Sequence, residues 1–164
     1  MIRCKPKGLC SWDFYLDGDG HHATLEFNWA GEQGSITADG LRFEVQRHGG
    51  FRGRWTLEDA GRETASAQQA TTMIPTFEIN DDTDSHVLRA ESASGRSFRI
   101  ERSGHVVATV CPDHAFTRRA TIDVRGQKLE FTIVSFAFWL VVLTWRRAAN
   151  SPRAFMPYKA APVN

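Results

Sequence analysis

The chain has 164 residues, of which 41% are hydrophobic, 24% charged and 11% aromatic, and its net charge is +1. Those values suit one globular domain; they exclude a disordered polymer, a collagen-like repeat and a polytopic membrane protein. No global field points to nucleic acid as a partner. Three cysteines, Cys4, Cys10 and Cys111, make an odd count that does not suit a disulfide framework, and no apolar run of signal-peptide length opens the chain. Reduced thiols and a cytoplasmic location are therefore expected.

Taken in chain order, the first 130 residues repeat one local grammar. Short stretches alternate apolar and polar residues, the period of a strand with one buried face. Leu25, Phe27 and Trp29 alternate with Thr24, Glu26 and Asn28, and Leu41, Phe43 and Val45 alternate with Arg42, Glu44 and Gln46. Trp55 with Leu57, Phe77 with Ile79, Leu88 with Ala90 and Phe98 with Ile100 follow the same rule. Val106, Ala108 and Val110 continue it, and Ile122 with Val124 close it. Turn signals separate the runs, among them Asp17-Gly-Asp-Gly20, Asp39-Gly40, Asp59-Ala-Gly61 and Ser103-Gly104. Their spacing of roughly 8–12 residues predicts a sandwich or barrel of about a dozen strands. Residues 63–72 (ETASAQQATT) suit a short helix or an edge strand continuing the hairpin after Trp55 and Leu57, and the strand is the preferred reading.

One segment breaks the grammar. Phe131 to Trp145 holds 12 hydrophobic residues in 15, enough for a helix about 22 Å long. Wrapped at 3.6 residues per turn it is apolar on every side, so protein or lipid must surround it. A bilayer span needs about 20 apolar residues, and Lys128, Glu130, Arg146 and Arg147 bound this run. A helix buried inside a β structure fits its length better than a tail anchor. A closed barrel of about a dozen strands also has a lumen too wide for its own side chains to fill, so a plug is required. The predicted fold is therefore a mainly β protein: an antiparallel barrel enclosing a C-terminal helix at about 130–147. Its domain is 1–150, and a loose, Pro-containing tail follows at 151–164.

This order and texture resemble the tubby C-terminal-like superfamily, which includes the phospholipid scramblases and the LURP-one-related proteins. The run Gly53-Arg-Trp-Thr-Leu-Glu-Asp-Ala-Gly61 is similar to the tryptophan, leucine, aspartate and turn-glycine strand of LURP-one-like proteins. Gly95 to Ala108 is similar to their later hairpin, and Phe136-Ala-Phe-Trp-Leu140 falls where that family's buried helix belongs. The resemblance covers about residues 14–150 and implies a non-enzymatic protein associated with phospholipid headgroups. No residue-by-residue match to the tubby lipid pocket or to a scramblase calcium segment is present, so it assigns no site residues.

The residues themselves offer several chemistries. Asp17-Gly-Asp-Gly20 begins like a calcium loop, but the fifth and twelfth positions are His21 and Asn28, which leaves a hairpin turn. Asp81, Asp82 and Asp84 form an acidic turn, and Cys111 with His114 lacks the further pair that a zinc site needs. No phosphate loop, HExxH or GxSxG is present, so neither a cofactor nor a catalytic centre is expected. Arginine clusters are the better candidates, because a guanidinium fork binds phosphate bidentately. Arg52 and Arg54 flank Gly53, and Arg118 and Arg119 follow Phe116; these four are the candidate anion-binding residues. Arg96, Arg99 and Arg102 line one hairpin. Pairing with Glu44, Glu58 or Glu101 across strands is the competing use for such arginines.

Charge is uneven along the chain. Residues 1–82 carry 8 Lys/Arg against 13 Asp/Glu, and residues 83–164 carry 12 against 6. The simplest reading is that the halves neutralise each other when folded together. The expected function is a cytoplasmic, non-enzymatic protein that binds phospholipid headgroups or another anionic ligand; the alternative is a tail-anchored protein whose β domain faces the cytoplasm.

Overall fold

The computed structural model describes residues 1–49, 53–114, 117–126 and 129–151. Each one-sided apolar run becomes a strand: β1 (Ile2–Pro6), β2 (Phe14–Gly18), β3 (His21–Phe27), β4 (Gly34–Ala38), β5 (Leu41–His48) and β6 (Arg54–Asp59). The series continues with β7 (Arg62–Thr71), β8 (Thr76–Asp81), β9 (Ser85–Ala90), β10 (Phe98–Arg102), β11 (His105–Pro112) and β12 (Ala120–Val124). Neighbours in sequence pair antiparallel, and β1 closes the ring on β12 through Ile2 opposite Ile122 and Cys4 opposite Ala120. The described residues thus form a closed twelve-strand barrel, as the turn spacing predicts. Residues 63–72 fall almost wholly within β7, which pairs with both β6 and β8; closure leaves no edge for it to occupy.

Helix α1 (Phe131–Ala149) fills the lumen. From Ile133 to Leu143 every residue is buried, because inward strand residues meet the helix on all sides. Its backbone lies nearest β3 and β4, whose inward residues include the small Ala23 and Ala38. Larger groups, Trp55, Phe77 and Phe98, fill the space elsewhere. Trp139 stacks on Phe27 at 4.5 Å and 10°, and Phe138 meets Phe14 edge-on at 5.3 Å. Ser135 and Thr144 satisfy their hydroxyls by donating to the carbonyls of Phe131 and Leu140 one turn earlier, which admits polar side chains to an apolar helix. By length and composition α1 could cross a bilayer; here the barrel supplies the apolar surroundings it requires.

Two features of the barrel decide where its polar and apolar surface groups lie. First, the twelve strands leave the barrel with unlike ends. At one end the connections are two-residue turns with positive φ at both positions: Asp19-Gly20, Asp39-Gly40, Ala60-Gly61 and Ser103-Gly104. That is the type I′ geometry that matches strand twist. At the other end run the longer connections 7–13, 28–33, 91–97 and 113–119, together with the C terminus of α1. Second, the alternation slips at particular places. β3 ends at Phe27, so Trp29 lies on the loop and not in the core. An extra residue in β11 opposite Ile100/Glu101 buries Val107 and turns Val106 outward. Leu41, beside a turn, is also exposed.

Candidate anion-binding end of the barrel

The loop end collects both exposed apolar side chains and arginines. Leu9, Trp29 and Met73 stand on three different connections and are 97%, 90% and 83% exposed. Ile74, beside Met73, is half exposed. Elsewhere on the described surface, large apolar groups are mostly single, as at Tyr15 and Leu41.

Arginines hold these loops by their carbonyls. Arg118 donates to the carbonyl of Gly8 at 3.0 Å and also to those of Leu9 and Ser11, while its guanidinium lies over the Trp12 ring at 5.3 Å. Arg146, in the last turn of α1, donates to the carbonyls of Asn28 at 3.1 Å, Gly31 at 3.0 Å and Trp29. Captured carbonyls fix the loop backbone and leave the Leu9 and Trp29 side chains pointing to solvent. Arg147 forms a two-pronged pair with Glu32 at 2.5 and 2.7 Å, bonds Gln69 at 3.0 Å and lies 5.2 Å from the Trp55 ring centre. Arg47 reaches the same carboxylate at 3.1 Å. Burial pulls the Glu32 carboxyl up, but its bonds to Arg147 and the charges of Arg147, Arg47 and Arg146 outweigh this and hold it below its ordinary range.

The four arginines expected from the sequence do not converge. Arg54 opens β6 and pairs with Glu63 across to β7 at 2.7 Å, the cross-strand use that competes with phosphate binding, though with a different glutamate from those expected. Arg118 and Arg119 precede β12, which stands opposite β6 in the ring, with five strands between them either way. Arg119 is exposed, with no ion-pair partner among the described residues. Arg52 lies outside the described residues. Arg99 pairs with Glu101 at 2.7 Å and Arg102 with Asp84 at 2.6 Å.

Arg96 stands apart from these strand arginines. It lies beside Arg118 on a cavity of about 580 Å³ between the end of α1 and the connections 7–13 and 91–97. Its guanidinium covers the Trp145 ring at 4.5 Å and donates to the Thr117 carbonyl at 2.7 Å. Burial and the neighbouring Arg118 charge both lower its pKa. Trp145 returns a bond from its indole N–H to the Arg96 carbonyl at 3.2 Å. Sequence reading groups Arg96 with the strand arginines of its hairpin; its position before β10, level with the helix end, is a tertiary fact.

Acidic groups concentrate at the opposite end. Asp17, Asp19, Asp39, Asp59, Asp81, Asp82 and Asp84 all sit on or beside the tight turns. Carboxylates also occur at the loop end: Glu26 is engaged by Lys7 at 2.7 Å, Glu32 by the arginines and Asp13 by the Phe27 N–H at 2.8 Å, while Asp113 accepts from the Thr121 hydroxyl at 3.1 Å and Glu91 is exposed. Charge is thus also uneven along the barrel axis, independently of its split between the sequence halves. Asp81 accepts from the N–H groups of Thr83 and Asp84 and from the Thr83 hydroxyl, each at 2.7 Å, so the acidic turn binds itself. No cluster among the described residues could hold a metal ion. No protein-family model, no curated protein and no solved structure matches this chain.

Proposed function

We propose that this is a non-enzymatic cytoplasmic protein that docks the loop end of its barrel on membrane surfaces rich in anionic phospholipid headgroups. The observation that carries the reading is the shared placement of exposed Leu9, Trp29 and Met73 with Arg96, Arg118, Arg119, Arg146 and Arg147, while the acidic turns lie at the far end. Stable attachment to a bilayer usually takes two signals, an apolar one and a basic one. Each cation near an anionic leaflet adds about 1 kcal/mol, and tryptophan favours the headgroup level. The end-to-end charge separation would also orient the barrel as it approaches. Membership of the tubby-like superfamily is part of the same proposal; a closed barrel around a C-terminal apolar helix is the arrangement that the resemblance implies. Burial of α1 by the barrel supports a core role for it over a tail anchor.

The test is sedimentation with vesicles of phosphatidylcholine alone and with added phosphatidylserine. The full chain should pellet only with the anionic vesicles and be released by salt, because counterions screen the attraction. Replacing Trp29 and Met73 by Ser should weaken pelleting about tenfold or more without lowering thermal stability. Equal binding to both vesicle types, or a double variant that pellets like the parent chain, would remove the proposal.

A further inference from the structure

We infer that anionic phospholipid headgroups are held at the closing seam of the barrel, by Lys5 and Arg119 at its rim with Arg3 below them. This rests on the docking proposed above and deepens it, because it separates the cations that meet lipid from those that hold the loops.

Binding a phosphate or carboxylate takes donors that are not already spent. Arg118 and Arg146 each give theirs to three loop carbonyls, and Arg147 gives its own to Glu32 and Gln69. Their charge adds to the field of the loop end, but their forks are largely committed. Arg3, Lys5 and Arg119 are exposed, and their side chains have no hydrogen-bond or ion-pair partner among the described residues. Each keeps its full set of N–H donors for a ligand.

Ring closure brings the three together. Ile2 lies opposite Ile122 and Cys4 opposite Ala120, so the same register sets Arg3 opposite Thr121 and Lys5 level with Arg119. Ile2 and Cys4 are buried, which turns Arg3 and Lys5 outward. Neighbours across antiparallel strands stand about 5 Å apart, and Arg3 lies two residues, about 7 Å, further from the rim. Like charges at such separations repel, and an oxyanion between them relieves the repulsion. The carboxylates on the flanking strands are Asp17, opposite Arg3, and Asp113, level with Arg119. Each is engaged elsewhere, by His22 at 3.1 Å and by the Thr121 hydroxyl at 3.1 Å.

The seam is continuous with the docking face. β1 leads from Lys5 into the connection 7–13, which carries the exposed Leu9. Tyr15 stands opposite Lys5 on β2 and is half exposed; tyrosine, like tryptophan, favours the headgroup level. With Leu9 at the apolar boundary, Lys5 and Arg119 are level with the charged groups of the headgroups.

The experiment compares two double variants of the full chain that remove equal charge. Lys5→Gln with Arg119→Gln should weaken pelleting with phosphatidylserine-containing vesicles at least tenfold, make it less sensitive to salt, and leave the thermal midpoint unchanged. Arg42→Gln with Arg62→Gln, at the turn end, should pellet within twofold of the parent. Equal losses from the two, or no loss from the seam variant, would overturn the assignment. Amide spectra with monomeric dihexanoyl phosphatidylserine, set against dihexanoyl phosphatidylcholine, keep this inference separate from the docking reading. Shifts should appear at Lys5, Arg119 and Thr121 with the serine lipid alone. Such shifts without vesicle pelleting would remove the docking reading and sustain the seam. Pelleting untouched by the seam variant would sustain docking and overturn the seam, as would serine-lipid shifts that avoid these residues.

Discussion

Replacing Trp139 by Ala tests whether α1 is the core of the barrel in solution. Trp139 is fully buried at the middle of the helix and stacked on Phe27. Truncating a buried aromatic to Ala costs about 3–5 kcal/mol, the transfer term plus the cavity left behind. Against a total stability on the order of 5–15 kcal/mol this is a large share. At about 2–4 °C per kcal/mol for a chain of this size, the thermal midpoint should fall by about 6–20 °C. Trp139→Phe is the internal control. It keeps an aromatic face against Phe27 and removes an indole N–H that has no hydrogen-bond partner among the described residues. Losing an unpaired polar group offsets part of the lost volume, so its cost should stay below about 1.5 kcal/mol. Urea unfolding followed by near-ultraviolet circular dichroism measures both. A loss under about 1 kcal/mol for Trp139→Ala, or equal losses for the two variants, would refute the packed-helix reasoning.

Three further outcomes concern the loop end and the core. A Cβ at Gly53 would stand 2.7 Å from Cζ2 of Trp55 and closer still to Cη2, so Gly53→Ala should displace that indole from beneath Arg147 and cost about 1–3 kcal/mol by urea unfolding. Glu32 has its pKa lowered in the folded state, so its stabilising effect is present above the unfolded carboxyl range and is lost as pH falls through the folded value. The urea midpoint should therefore drop as pH falls from about 5 through and below the ordinary glutamate range, and Glu32→Gln should flatten that limb while lowering the midpoint at pH 7. Burial, with a smaller contribution from Asp113, pushes the Cys4 thiol well above its ordinary range, whereas Cys10 and Cys111 are exposed; two thiols should react promptly with an aromatic disulfide reagent and the third only on unfolding.

How far the sequence discloses this molecule differs by level. Strand periodicity and Asp-Gly, Ala-Gly and Ser-Gly turns are local signals, so the barrel is legible from them. The all-round apolar helix is legible too, because a helix apolar on every side must be enclosed and its short apolar run suits a barrel interior better than a bilayer. What misleads is the assumption that alternation runs to the end of each strand. Trp29 continues the pattern of Leu25 and Phe27, yet the strand has already stopped, and Arg146, over a hundred residues later, holds that loop. Val106 fails for a related reason, since one bulged residue inverts the faces on its far side. The arginines are the hardest to read. Nothing in the local pattern around Arg118 shows that its donors are taken by the loop at residues 8–11, or that Arg96 would lie beside it. The first depends on ring closure between β1 and β12, the second on the pairing of β10 with β11 and of β11 with β12. The split of charge between sequence halves likewise gives no hint of its split between barrel ends, because every strand runs the full length and contributes to both.

The most direct measurement of the central claim, that the loop end faces an anionic bilayer, uses an environment-sensitive nitrobenzoxadiazole probe. With Cys10 and Cys111 changed to Ser, a single cysteine is placed at Met73 on the loop end or at Leu41 on the turn end and labelled. On phosphatidylserine-containing vesicles the probe at position 73 should shift to the blue and be quenched by lipid-phase nitroxide, while the probe at position 41 should do neither. A blue shift at position 41, or none at position 73 under conditions where the protein pellets with the vesicles, would contradict the proposed orientation.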